Sequence, residues 1–370
     1  MMRLTYRLFA VFALATLLIA PISAQEAAPR PFRLGFTPFP YEISYEAVDF
    51  TYAAIAEDAD LIVHHFDDGV PWPEALAGDP WPAGLQTEWE DRLRRTDPNL
   101  AIMLSVTPIN FLRTGLAPYR GDEGDQPLPP EWEGKPFDDP DVMTAFANYV
   151  LRGVEFFDPD YLVMGIEVNL LLSERPDLWP GYLTLQEATY QAVKAVHPDL
   201  PVFVSVLGMA YIDGITDHNP AAQRAALPDI LESSDYFALS LYPYMTAYMT
   251  TPLPDELYAG LFALSDKPLA VTETGYLAQT LNIAGLTFES TPEKQADYIG
   301  WLLNEAQARN AKLVVNFVLR DYDALWEQIG GGDIASVWRD TGLYDEAGNA
   351  RPALELWRAA LARPYVESQP

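Results

Sequence analysis

Eight apolar runs, each followed by a stretch of helical periodicity, recur along this chain of 370 residues. The runs are FRLGFT (32–37), ADLIVHHF (59–66), NLAIMLSV (99–106), YLVMGIEV (161–168), PVFVSVLG (201–208), YFALSLYP (236–243), PLAVTET (268–274) and KLVVNFV (312–318). Most are continuous rather than alternating, the pattern of strands buried on both faces in a parallel sheet. The intervening segments place apolar residues three and four apart, as amphipathic helices do. Three of them start on a capping signal: Ser44, Thr291 followed by a proline, and Thr184 with Glu187 three residues later. Eight alternations predict an α/β fold in one domain, a closed (β/α)₈ TIM barrel, rather than an open doubly wound sheet.

The barrel is expected over residues 32–363, with short tails at 25–31 and 364–370. Residues 1–24 read as a signal peptide. Arg3 and Arg7 precede an apolar run from Leu8 to Ile19, and small Ala24 suits cleavage. The run is short of the roughly 20 residues that span a bilayer. Export and a secreted, monomeric product follow as expectations.

The formal charge is −30, from 23 basic and 53 acidic side chains. Loss of residues 1–24 removes two arginines and no acid. Such a surface repels nucleic acid and anionic lipid, so neither is an expected partner, and it suits a neutral substrate. With no cysteine, disulfides, thiolate metal sites and cysteine nucleophiles are excluded. His64 and His65 are adjacent on a strand and so point to opposite faces, which argues against a shared metal ion. No cofactor is expected. Gly330–Gly332 lacks the lysine and hydroxyl residue of a phosphate loop, and no GxSxG elbow occurs.

Two of the eight runs end on a glutamate, Glu167 in the fourth and Glu273 in the seventh, within TETGY. C-terminal strand ends of a closed barrel converge on one mouth. Two carboxyl groups facing a cleft can cleave a glycosidic bond, one as proton donor and one as nucleophile or base. A strand-end carboxylate satisfied by backbone bonds is the structural alternative for each.

With these two glutamates at those strands, the chain resembles clan A of the glycoside hydrolases, retaining enzymes on (β/α)₈ barrels. The resemblance covers most of residues 32–360. It implies Glu167 as acid/base and Glu273 as nucleophile. TETGY is similar to the nucleophile segment of endo-β-1,4-galactanases and of some β-mannanases. LSLYPY (239–244) looks like the clan's sixth strand, whose tyrosine, here Tyr242, steadies the nucleophile. TGLYDEAGNARPALELW (341–357) resembles its last turn and helix.

Two positions depart from the clan. Ile166 stands where an asparagine usually precedes the acid/base, and VHHFDD replaces a second-strand arginine, so that His64 or His65 fills that space. The resemblance implies a secreted, endo-acting glycosidase on a neutral β-linked saccharide. A barrel that binds carbohydrate without cleaving it is the alternative that the departures motivate. Candidate substrate contacts are Tyr242, Tyr244, His65, Asn169, Phe317, Trp72 and Trp326. Trp81, Trp132 and Trp179 are further loop aromatics able either to stack on sugars or to pack their loops. Trp301 and Trp357, on helical patterns, are expected in the core.

Overall fold

The computed structural model describes residues 28–246, 254–283, 285–332 and 336–367. The expected signal peptide (1–24), with the outer ends of both tails, lies outside them. Eight parallel strands form the barrel: β1 Arg33–Thr37, β2 Leu61–Phe66, β3 Ala101–Val106, β4 Tyr161–Val163, β5, β6 Phe237–Leu241, β7 Leu269–Thr274 and β8 Leu313–Val318. β5 is split into Val202–Phe203, which pairs with β4, and Ser205–Leu207, which pairs with β6. β8 pairs with both β1 and β7, so the sheet closes. The predicted barrel is the fold observed.

The continuous apolar runs have a direct cause. One set of strand residues, including Leu61, Val63, Met103, Val163, Phe203 and Val315, fills the barrel interior. Their neighbours, among them Leu34, Ile62, Leu104, Leu162, Leu239 and Val314, pack outward against the helices. Both faces are dry, so no polar alternation is tolerated.

Among the described residues, eight longer helices cover the sheet: Tyr45–Asp58, Ala83–Arg95, Pro140–Phe157, Trp179–Val196, Pro220–Glu232, Asp255–Phe262, Pro292–Ala308 and Pro352–Leu361. Ser44 and Thr291 cap their helices as expected, accepting from the Ala47 and Lys294 amides. The Thr184 capping box does not form. That helix starts at Trp179, with Pro180 in its first turn, and the Thr184 hydroxyl donates to Pro180 O instead.

The fourth strand is shorter than its apolar run. Regular pairing stops at Val163, and Met164 to Val168 run beside β5 through irregular bonds. Gly165 is required there, because a Cβ would lie 2.7 Å from the Tyr182 hydroxyl and from Val168 Cγ1. Apolar composition alone does not reveal such a break.

Asn169 follows at the start of a short helix, Asn169–Glu174, and is fully buried. Its Oδ1 accepts from Leu207 N at 2.8 Å, and its Nδ2 donates to Leu207 O and to Gln223 Oε1. Asn169 therefore ties β5 to the chain after β4 and is not among the residues that line the cavity described below. Asn169→Ala leaves these buried groups unpaired, each costing about 1–3 kcal/mol. Urea denaturation is expected to show that loss of stability with KM unchanged in the surviving folded protein.

At the opposite pole, Arg30 N donates to Pro364 O, and Val366 N donates to Arg30 O. The Arg33 guanidinium lies 4.4 Å from the centre of the Tyr365 ring. Asp60 pairs with Arg30 at 2.6 Å. Both ends of the described chain thus seal the bottom of the barrel.

Candidate active site

A cavity of about 380 Å³ opens at the C-terminal ends of the strands. Its walls come from Thr37–Pro40 at the end of β1, His65 on β2 with Asp67 and Asp68 just after it, Phe111 and Arg113 after β3, Glu167 after β4, Glu273 on β7, and Phe317 and Trp338 beyond. The two glutamates do share one mouth.

Glu273 lies between two threonines, each hydrogen-bonded to the preceding strand. Thr274 Oγ1 donates to Leu241 O at 2.7 Å and contacts the Tyr298 hydroxyl. Thr272 Oγ1 donates to Leu239 O. The register shifts at Glu273 against both β6 and β8, so a bulge rather than the simple pleat turns Glu273 into the cavity. The Tyr242 hydroxyl donates a short hydrogen bond to Glu273 Oε1. Burial, with Glu273 beside it, pushes the Tyr242 phenol well above its ordinary value, so it stays a donor.

Burial also drives the Glu273 carboxyl up, to about 7; His65 opposes this and Glu167 adds to it. His65 faces the mouth and pairs with Asp67 at 3.7 Å. Burial works against its charge, but Asp67 and Glu273 outweigh burial and raise its titration. His64, one residue earlier, is fully buried among the helices with Nε2 3.1 Å from Thr96 Oγ1. Burial holds His64 down at about 3, hence neutral. The alternation of strand faces decides which histidine meets the carboxylates.

A nucleophile must be ionised, so kcat/KM is expected to fall as pH drops through about 7. His65→Ala removes a group whose charged form favours the ionised carboxylate. Its acid limb is expected at higher pH than that of wild type, read from a kcat/KM profile.

Glu167 is held differently. Its φ is +48°, left-handed for a residue that is not glycine. Its amide donates to Ser205 Oγ at 3.0 Å, and the next amide, Val168 N, to Ser205 O. Arg113 Nη2 reaches Glu167 Oε2 at 3.2 Å. Backbone strain held by its surroundings is characteristic of functional positions.

The other expected contacts divide. Phe317 lines the cavity, packed 5.6 Å from Phe39 and 6.3 Å from Trp338. Tyr244 is buried and donates to Val337 O at 2.8 Å, so it anchors the segment carrying Trp338 rather than touching the cavity. Trp72 is fully buried, stacked on Trp132, with its indole N–H on Ala117 O. Trp81 and Trp179 are buried likewise. These rings fasten loops because indole area is worth most where it excludes water. Of the two helix tryptophans, Trp357 is fully buried as expected and Trp301 is half-buried at the core's edge. Trp326 stands behind the cavity wall, capped by the Arg339 guanidinium at 4.9 Å. Trp338 takes the place expected of Trp326.

Phe39, Trp338, Phe111, Arg113 and Asp67 were not singled out by their sequence context. Trp338 lies twenty residues beyond β8, too far for strand-end reasoning. The apolar pair and arginine of NFLRTG, in a loop otherwise rich in turn residues, were a usable signal. Among the described residues, one acidic cluster has metal-like spacing, Asp321, Asp323 and Asp340. Arg351 already binds Asp321 at 2.5 Å, and Arg339 binds Asp340 and Asp323, so arginines supply the positive charge there.

No family model and no curated protein matches the chain. Solved structures do. One of GH5_18 from Bifidobacterium longum subsp. longum is 17% identical, with a TM-score of 0.63, covering 93% of this chain and 82% of that one. A variant of that protein has been solved in complex with Manβ1-4GlcNAc. GH10 from Paenibacillus barcinonensis is 11% identical with a TM-score of 0.61, covering 92% and 97%. The chain has the fold of these glycoside hydrolases. The exo-β-1,4-mannosidase Op5Man5 from Opitutaceae bacterium strain TAV5 is 14% identical, with a TM-score of 0.61, covering 90% of this chain and 60% of that one.

Proposed function

We propose that this protein is an exported, retaining glycosidase that acts on neutral β-linked saccharides, with β-1,4-mannosides the first substrates to test. The observation that carries the reading is the placement of Glu167 and Glu273 on one cavity at the C-terminal barrel mouth. Glu273 attacks the anomeric carbon while Glu167 protonates the departing oxygen. Glu167 then takes a proton from water as the sugar ester is cleaved. Tyr242 orients the nucleophile, and His65 opposes the upward shift that burial imposes on its carboxyl. The mannoside choice rests on the Manβ1-4GlcNAc complex and the exo-β-1,4-mannosidase among proteins of the same fold. Endo action belongs to the same reading and is checked by product length.

The test is a panel of Manβ1-4GlcNAc, β-1,4-mannobiose, β-mannan and β-1,4-galactan, followed by product mass and by the NMR-observed anomer first released. A β-anomer formed first, and its loss in Glu273→Ala, are expected. Calorimetric binding of these saccharides without product over long incubation would establish the carbohydrate-binding alternative instead.

A further inference from the structure

We infer that the turn from Ile109 to Leu116 builds the leaving-group side of the site. Phe111 is the platform for the departing sugar, and Arg113 is the residue that positions Glu167. The inference rests on the glycosidase reading above and adds to it the recognition of the leaving group.

The turn is a built structure. Ile109 and Leu116 pair across it, Asn110 N donates to Gly115 O at 3.0 Å, and Thr114 N donates to Asn110 Oδ1 at 2.8 Å. From outside, Arg175 Nη1 donates to Thr114 O. Arg113 sits at the tip with φ +57°. Its Nη1 donates to the carbonyls of Asn110 and Phe111, which locks the guanidinium onto its own turn. The free edge, Nη2, meets Glu167. The side chains are 11% and 18% exposed, so this contact is well shielded.

The same tip holds two apolar side chains in water, Phe111 at 58% and Leu112 at 70% exposure. Exposed apolar pairs at a cleft mouth mark a surface that is covered in use. Phe111 lines the cavity, so its cover lies in the cleft.

Chemistry decides which sugar covers it. Glu167 delivers its proton to the glycosidic oxygen as the C1–O bond breaks and the bond from C1 to Glu273 forms. The sugar beyond that oxygen leaves as a neutral alcohol. It therefore lies on the Glu167 side, against Phe111. The glycone lies over Glu273, between Phe39, Phe317 and Trp338. In the second step, water bonds to C1, its proton passes to Glu167, and the ester bond breaks. Arg113 grips one carboxylate oxygen and leaves the other facing the reacting bond. An aromatic face selects a hexopyranose with an apolar C–H face, such as a gluco-configured residue.

The experiment compares Manβ1-4GlcNAc with β-mannosyl fluoride, whose fluoride leaves without a sugar platform or a proton donor. In Phe111→Ala the ratio of kcat/KM, disaccharide over fluoride, is expected to fall about tenfold, through KM. In Arg113→Ala it is expected to fall roughly 10- to 100-fold through kcat, as misplaced catalytic groups do. Arg113→Lys, which keeps the charge but not the fork, should recover part of that loss. Wild-type ratios in the Phe111 and Arg113 variants overturn this inference while leaving the glycosidase reading intact. A wild-type protein that cleaves neither substrate, nor any saccharide of the panel above, removes the glycosidase reading, and the inference falls with it.

Discussion

Glu273→Ala is expected to lower kcat on order of 10⁵-fold or more, because it removes the atom that bonds to the sugar and not merely a group that assists. The fold should survive. Thr272 and Thr274 keep their bonds to the preceding strand, and β7 remains paired on both sides. The variant Glu273→Gln sharpens the test, since its amide oxygen can still accept from Tyr242. Wild-type turnover by either variant would refute the assignment. A stability signature accompanies the kinetic one. The carboxyl titrates near 7 in the folded protein against about 4.3 for an ordinary glutamate. Between those values the native state binds more protons than the unfolded chain, so Glu273 makes stability fall as pH rises through that window. Urea titrations at pH 5 and pH 8 should show a smaller pH difference in Glu273→Gln than in wild type.

Glu167→Ala is expected to cost about 10²–10⁴-fold on substrates with poor leaving groups, the range of general acid–base catalysis. It should cost far less in the bond-breaking step for a glycosyl fluoride, whose departure needs no proton. Added azide, a nucleophile that needs no base, should speed breakdown of the intermediate and yield a glycosyl azide of retained configuration. Equal losses on every leaving group would remove Glu167 from the acid/base role. The backbone supplies an independent check. A non-glycine residue at φ +48° costs roughly 1 kcal/mol or more. Glu167→Gly is therefore expected to be about 1 kcal/mol more stable than Glu167→Ala in urea denaturation.

The barrel was legible because its cause is coarse. Strands buried on both faces must be apolar throughout, and eight such runs separated by helical periods leave few closed arrangements. The placement of Glu167 and Glu273 was legible for the same reason, since a strand end locates a side chain at the mouth. What stayed hidden depends on side chains that meet from distant segments. Asn169, two residues from Glu167, could have shared its face had β4 continued, but the break after Val163 turns it into the wall between β5 and Gln223. Tyr244, two residues from Tyr242, is consumed by a backbone carbonyl ninety-three residues away. The loop tryptophans looked equally able to stack on sugar or on protein, and only the folded loops show that Trp72, Trp81 and Trp132 chose protein. Trp338 and Arg113 enter the cavity from loops whose path no local pattern dictates.

The joining of residues near Arg30 and Tyr365 beneath the barrel has an effect on how the molecule can be held. Both described ends leave from the pole opposite the cavity. Tethering the protein through either end, to a resin, a particle or a partner domain, therefore turns the open mouth outward. The cavity that holds Glu167 and Glu273 then stays open to solution, clear of the attachment.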